Sequence, residues 1–191
     1  TIPPPKANPS NAASELADHV RQMTGATLPV EKVSGAIDLN TLRTKYPDQT
    51  LVALGAAAAK WMGIDAETPV RIDGFRIAVR PGTVAIIGRD DAVFDLNYTW
   101  QPGSAGTLYG VYYVLRGWGV RWLDAGELGT VIPHLNSLEL AEQSVIDAPR
   151  FAYRYLSYGK QMQWLRRIGA GGDRDPWATK HTFEQTIDFY G

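Results

Sequence analysis

The sequence predicts an α+β fold, a mixed β-sheet covered by two or three helices in a two-layer α/β arrangement. Three stretches carry that prediction: an alternating hairpin over residues 74–87, a glycine-bounded helix over 105–118 and an amphipathic helix over 10–24. Helices and strands intermixed in this order, with one tight turn between neighbouring strands, pack as helices laid on a sheet. The chain has 191 residues, enough for one domain and a tail with a core that needs no covalent staple.

The elements follow in order. Thr1-Ile2-Pro3-Pro4-Pro5-Lys6 reads as a proline-stiffened linker, which sets residues 1–9 apart. Asn8-Pro9-Ser10-Asn11 is a run of helix-start signals, after which Ala12, Leu16, Val20 and Met23 recur at helical spacing until Gly25 stops them. Residues 28–33 alternate weakly and read as a strand. Leu51-Val52-Ala53-Leu54, ended by Gly55, reads as a short buried strand, and the alanine-rich stretch 56–62, closed by Gly63, as a short helix. Gly74-Phe75-Arg76-Ile77-Ala78-Val79-Arg80 alternates as a half-buried strand must, Pro81-Gly82 turns, and Thr83-Val84-Ala85-Ile86-Ile87 returns. A polar loop runs over 88–103. The helix at 105–118 puts Leu108, Val111, Tyr112 and Leu115 on one face, and Gly119 ends it. Gly106 and Gly110, four apart, let its backbone approach a sheet closely. Val120-Arg121-Trp122-Leu123 reads as a strand, 124–133 as a glycine-punctuated loop and 137–140 as a short extended piece. The domain is expected to end near residue 145. Beyond it, Phe151-Ala152-Tyr153-Arg154-Tyr155-Leu156 restarts a strand pattern, and 161–168 reads as a short helix with Gly169 to Gly172 as a flexible stop. Phe183, Ile187 and Tyr190 keep a helix-like spacing that has no partner in the sequence.

Composition narrows the function. Lys and Arg number 19 against 20 Asp and Glu, so there is no basic excess to neutralise a nucleic acid or an anionic membrane. Without cysteine there are no disulfides, thiolate metal sites or cysteine nucleophiles. No apolar run approaches the roughly 18–20 residues that cross a bilayer. His19, His134 and His181 share no metal-ligand spacing, so neither a metal nor any other cofactor is implied. His19 reads as a solvated residue on a helix flank and His134 as a loop residue after Pro133. Asp90-Asp91 with Asp95 could perform acid–base work, but a polar turn after a strand is the favoured reading. Gly169 to Gly172 lacks the Lys-Ser/Thr of a phosphate loop. Ser104 suits the N-cap of the helix that follows it. Six Trp and nine Tyr could build a sugar-stacking platform, yet Tyr109, Tyr112, Trp118 and Trp122 sit at core-like positions. Read from the residues alone, the chain is a mixed α and β domain with an incomplete second unit and no arranged nucleophile.

Several motifs in order resemble a known architecture. Met23-Thr24-Gly25-Ala26-Thr27-Leu28-Pro29-Val30 closes the first helix, and Gly74-Phe75-Arg76-Ile77 opens the hairpin. Gly106-Thr107-Leu108-Tyr109-Gly110-Val111-Tyr112, Gly119-Val120-Arg121-Trp122 and Gly126-Glu127-Leu128-Gly129 follow. Together these resemble the N-terminal domain of large glycoside hydrolases: bacterial α-glucuronidases, β-N-acetylhexosaminidases and a related group of unassigned substrate. Asp147-Ala148-Pro149-Arg150-Phe151-Ala152-Tyr153-Arg154 resembles the entry into the first strand of their (β/α)8 barrel.

The resemblance implies a non-catalytic N-terminal α/β accessory domain over 10–145, packing on and supporting its own catalytic barrel, of which 146–191 is the truncated start. It implies an oligosaccharide or glycoside as the parent's substrate, with Arg154 binding sugar hydroxyls and His181 lying on the first barrel loops, where barrel active sites are built. A barrel needs roughly 250 residues, and its paired carboxylates would lie further on, so this chain by itself is expected to be inactive. An extracytoplasmic location is implied by the family alone. The alternatives are a stand-alone glycan-binding module and a structural or oligomerisation domain.

Overall fold

The computed structural model describes residues 8–32, 39–64, 67, 69, 71–91, 104–151, 153–154 and 162–172. Helix α1 (Asn8–Thr24) comes first, then α2 (Leu39–Lys45), β1 (Leu51–Leu54) and α3 (Ala56–Trp61). The hairpin is β2 (Phe75–Arg80) and β3 (Thr83–Gly88), followed by α4 (Gly106–Gly117), β4 (Arg121–Trp122), β5 (Thr130–Val131) and β6 (Gln143–Asp147). After these come β7 (Tyr153–Arg154), α5 (Met162–Arg167) and β8 (Gly171–Gly172). Among the described residues no helix is long and apolar enough to cross a membrane.

The main sheet has four strands in the order β1-β3-β2-β6. It is mixed, because β1 runs parallel to β3 while β2 is antiparallel to both β3 and β6. This is the α+β class the sequence predicts. Side-chain alternation divides the core between the two faces. Phe75, Ile77, Val79, Val84 and Ile86 face α1 and α4, where Leu16, Val20, Leu108, Val111 and Leu115 meet them. Ala53, Ala78, Ala85 and Ile87 point the other way, onto α3 and Leu39 and Leu42 of α2.

The close approach expected from Gly106 and Gly110 is realised, and Gly88 joins them. A Cβ at Gly88 would lie 1.9 Å from the Thr107 nitrogen, and one at Gly106 2.1 Å from the Gly74 carbonyl oxygen. One at Gly110 would lie 2.4 Å from Ile86 Cγ2. The first turn of α4 is therefore pressed against the strand ends, where its N–H groups meet side chains from the sheet.

Two elements differ from the sequence reading for identifiable reasons. No strand forms within residues 28–32, where Val30 is exposed and no neighbouring strand pairs with the segment. After the piece read as extended at 137–140, the chain returns to the sheet at β6. In β6, Val145 is half-buried and the other four residues are exposed, so no alternating pattern announces it. The glycines after α5 are no loose stop either: Gly171 and Gly172 pair antiparallel with Arg154 and Tyr153.

Candidate functional site

The site centres on Asp73, which stands just before β2 in the left-handed region with φ of 54°. Asp tolerates that conformation because its short carboxylate bonds to nearby backbone. The Asp73 N–H donates to Ser104 Oγ at 2.7 Å, and its Oδ1 accepts the Ala105 N–H at 2.8 Å. Ala105 is the N-cap of α4, so Asp73 supplies the capping acceptor from a distant part of the chain. Ser104, expected as that cap, instead donates its hydroxyl to the Arg89 carbonyl at 2.5 Å and ties the exit of β3 to Asp73.

Two more carboxylates complete the helix start. Asp90 accepts the Thr107 N–H at 3.0 Å and also the Thr107 hydroxyl, which in turn accepts the Gly88 N–H at 3.0 Å. Asp91 accepts the Ser104 N–H at 2.6 Å. Negative charge is favoured at the positive end of a helix. Burial nevertheless outweighs these bonds and pushes Asp90 up to about 6, with the charges of Asp73 and Asp91 adding to the shift. The Asp90-Asp91 pair thus bonds the start of α4, 13 to 17 residues on, where a polar turn was expected to bond its own neighbours, and Asp95 lies outside the described residues.

The remaining oxygen of Asp73, Oδ2, receives Arg154 Nη2. Asp73 is wholly buried and the Arg154 side chain is 17% exposed. Arg154 also donates from Nε to the Gly169 carbonyl at 2.6 Å and from Nη1 to the Phe151 carbonyl at 2.7 Å. Its guanidinium lies 5.7 Å from the Tyr109 ring centroid, while the Tyr109 hydroxyl donates to the Ala170 carbonyl at 2.6 Å. All three guanidinium nitrogens are engaged with the protein, in the fork geometry to which arginine is suited.

A second ion-pair centre lies on α1. Glu15 is buried and accepts Arg167 Nη2 at 3.0 Å and Nε at 3.2 Å, with Gln163 Nε2 at 2.7 Å. His19, expected to be solvated, is 2% exposed. Its Nδ1 donates to the Glu15 carbonyl at 2.8 Å, and its ring meets the Trp122 ring edge-on at 5.5 Å. Burial holds His19 below its ordinary pKa, against the opposing pull of Glu15. Arg167 lies 5.8 Å from the same Trp122 ring, and Trp164 Nε1 donates to the Trp122 carbonyl at 3.2 Å. The flank of α1 that looks solvent-facing in the sequence is thus covered by β4 and α5.

Beside Arg154 an open groove of about 660 Å³ runs between α4 and β6, with Tyr113 and Arg116 on one side and Gln143 and Asp147 on the other. His134 is exposed in its loop, as its position predicts. His181, the other residue singled out for substrate contact, lies outside the described residues. Among the described residues no group of three or more His, Asp or Glu side chains could hold a metal ion. Asp73, Glu15 and Arg167 escaped sequence reasoning. Signals for two existed: Asp73-Gly74 is a turn pair, and Glu15 lies three residues after Ala12 on the same helical stripe. Compared with family models, curated proteins and solved structures, the chain finds no match.

Proposed function

We propose that this chain is the non-catalytic N-terminal domain of a carbohydrate-active glycoside hydrolase of the α-glucuronidase and β-hexosaminidase kind, packing on and supporting the catalytic barrel. One observation carries the reading. Asp73 and Glu15, buried acids of the α/β domain, find cationic partners in Arg154 and Arg167 of the segment that follows it. A buried carboxylate robbed of its cation costs several kcal/mol, so the interior of this domain is completed by what comes after it. That is the physical signature of a supporting domain, and the ordered motifs supply the carbohydrate context. A guanidinium has five N–H donors. Those not spent on Asp73, Gly169 and Phe151 are the ones through which Arg154 would reach a sugar hydroxyl in the complete enzyme. The parent's substrate is then an oligosaccharide or glycoside, met outside the cytoplasm.

The test is the intact mass of the polypeptide in its native source, together with assays of the isolated chain. A native mass far above 21.0 kDa is expected. The isolated chain should hydrolyse no aryl glycoside above a buffer control and show no saturable oligosaccharide binding. A native mass near 21.0 kDa, or turnover by this chain, overturns the proposal. Saturable binding would reassign the domain as a glycan-binding module.

A further inference from the structure

We infer that the groove between α4 and β6 is where the unit following this domain in the same polypeptide continues its packing, seating an apolar side chain beside a carboxylate. The inference rests on the reading above that such a unit follows.

Coverage of the sheet creates the groove. Helix α4 lies over β2 and β3, and β6 extends the sheet beyond it with Val145 half-buried toward the same side. The space left above β6, about 660 Å³, is bounded by α4 and by Gln143 and Asp147 of β6. Its far end is made by Arg154, Ile168 and Gly169, which belong to the segment latched onto Asp73 and Glu15. The groove is therefore continuous with an interface already formed. Moreover, β8 ends at Gly172, three residues past Gly169, so the last described residues lie at this same end.

The lining states what the occupant must carry. Tyr113 is 41% exposed and Ile168 36%, an aromatic and an aliphatic side chain left open in one concavity. The Tyr113 ring is backed by Phe75 at 5.4 Å, which fixes it as a platform. Arg116 donates from Nε to the Tyr112 carbonyl at 3.2 Å, and among the described residues no hydrogen bond from its two Nη atoms is found. Arg121 donates to the Arg116 carbonyl at 2.7 Å, which brings a second cation to the same helix end. Burial and the charge of Arg121 both lower the pKa of Arg116. A guanidinium so placed favours an incoming carboxylate, and charge-assisted pairs of this kind are the stronger hydrogen bonds of an interface.

Hydroxyl-radical footprinting of the natural-length polypeptide against the 191-residue chain tests the assignment. Oxidation of Tyr113 should fall roughly fourfold or more, because burial in an interface core would take its 41% exposure below about 10%. Arg116→Glu in the natural-length polypeptide should restore oxidation of Tyr113 by setting carboxylate against carboxylate. Equal oxidation of Tyr113 in the long and short chains overturns the inference and leaves the proposed function standing. Protection that appears in the short chain alone and grows with its concentration also overturns it, by giving the face to a second copy. A natural polypeptide no longer than this chain overturns both readings.

Discussion

Asp73 makes three connections, two through its carboxylate and one through its backbone N–H. It caps α4 through Ala105, holds Ser104 through its own N–H and neutralises Arg154. Removing the cation leaves a buried charge, so Arg154→Ala should cost about 3 kcal/mol of unfolding free energy by urea titration. Asp73→Asn keeps the capping carbonyl and loses the ion pair, and should restore part of that loss when combined with Arg154→Ala. A double-mutant cycle with no coupling would exclude the latch. Two other residues give pH dependence of opposite sign. Asp90 has a folded pKa raised from 3.8 to about 6, so its contribution to stability is present at low pH and lost as pH rises through about 6. His19 is depressed from 6.5, so its contribution is present above pH 6.5 and lost as pH falls through the lower folded value. Urea midpoints from pH 4 to 8 should accordingly show Asp90→Asn losing ground to the parent on acidification and His19→Gln gaining it. The same residues mark the limit of sequence reading. Arg154 stood out through a motif, whereas its partner is a lone Asp whose burial depends on contacts 31 to 81 residues away.

Among the elements, the hairpin and α4 were legible because each declares itself locally. The hairpin alternates around Pro81-Gly82, and α4 carries its apolar stripe between glycines. Short α2 and exposed β6 were not, because each buries too little to leave a periodic trace: α2 has no fully buried residue. Besides the part-buried Leu39 and Leu42, two distant bonds hold α2. Arg43 donates to the Gly82 carbonyl and to Thr83 Oγ1, both at 2.7 Å, across the hairpin turn. The close approach of Gly106 and Gly110 was also readable, whereas Gly88 of β3, which shares it, was not, and the contact makes a sharp prediction. At Gly88 an added methyl would strike helix backbone, which cannot rotate away as a side chain can. Gly88→Ala should therefore cost upwards of ~3 kcal/mol or prevent folding. Gly110→Ala meets the Cγ2 methyl of buried Ile86, a branch on a stiff β-branched carbon, and its overlap is only partly offset by better helix propensity, so a loss of ~2 kcal/mol is expected by thermal denaturation.

At the scale of the molecule, the question is whether the segment after the main sheet is a passenger or part of the cooperative unit. The two latches are anchored on different elements, Glu15 on α1 and Asp73 before β2, and no hydrogen bond links the two centres among the described residues. Energies of sites without shared partners add. With about 3 kcal/mol at stake in each, and 5–15 kcal/mol the usual stability of a domain, losing both arginines should remove a large fraction of the total. A passenger segment would detach first and leave the α/β domain unfolding at its own midpoint. An integral one would bring the whole fold down together, because detachment strands two acids in the core. The fluorescence difference between the parent and Trp164→Phe reports on α5, where Trp164 donates to the Trp122 carbonyl, while far-UV circular dichroism reports on α1 and α4. For the parent chain the two probes should trace one coincident transition. Arg154→Met with Arg167→Met should move that transition as a unit to lower urea, by the sum of the single shifts. A fluorescence transition that separates from the helical one, and that alone responds to the two substitutions, would mean the acids tolerate exposure and the segment is only resting on the domain.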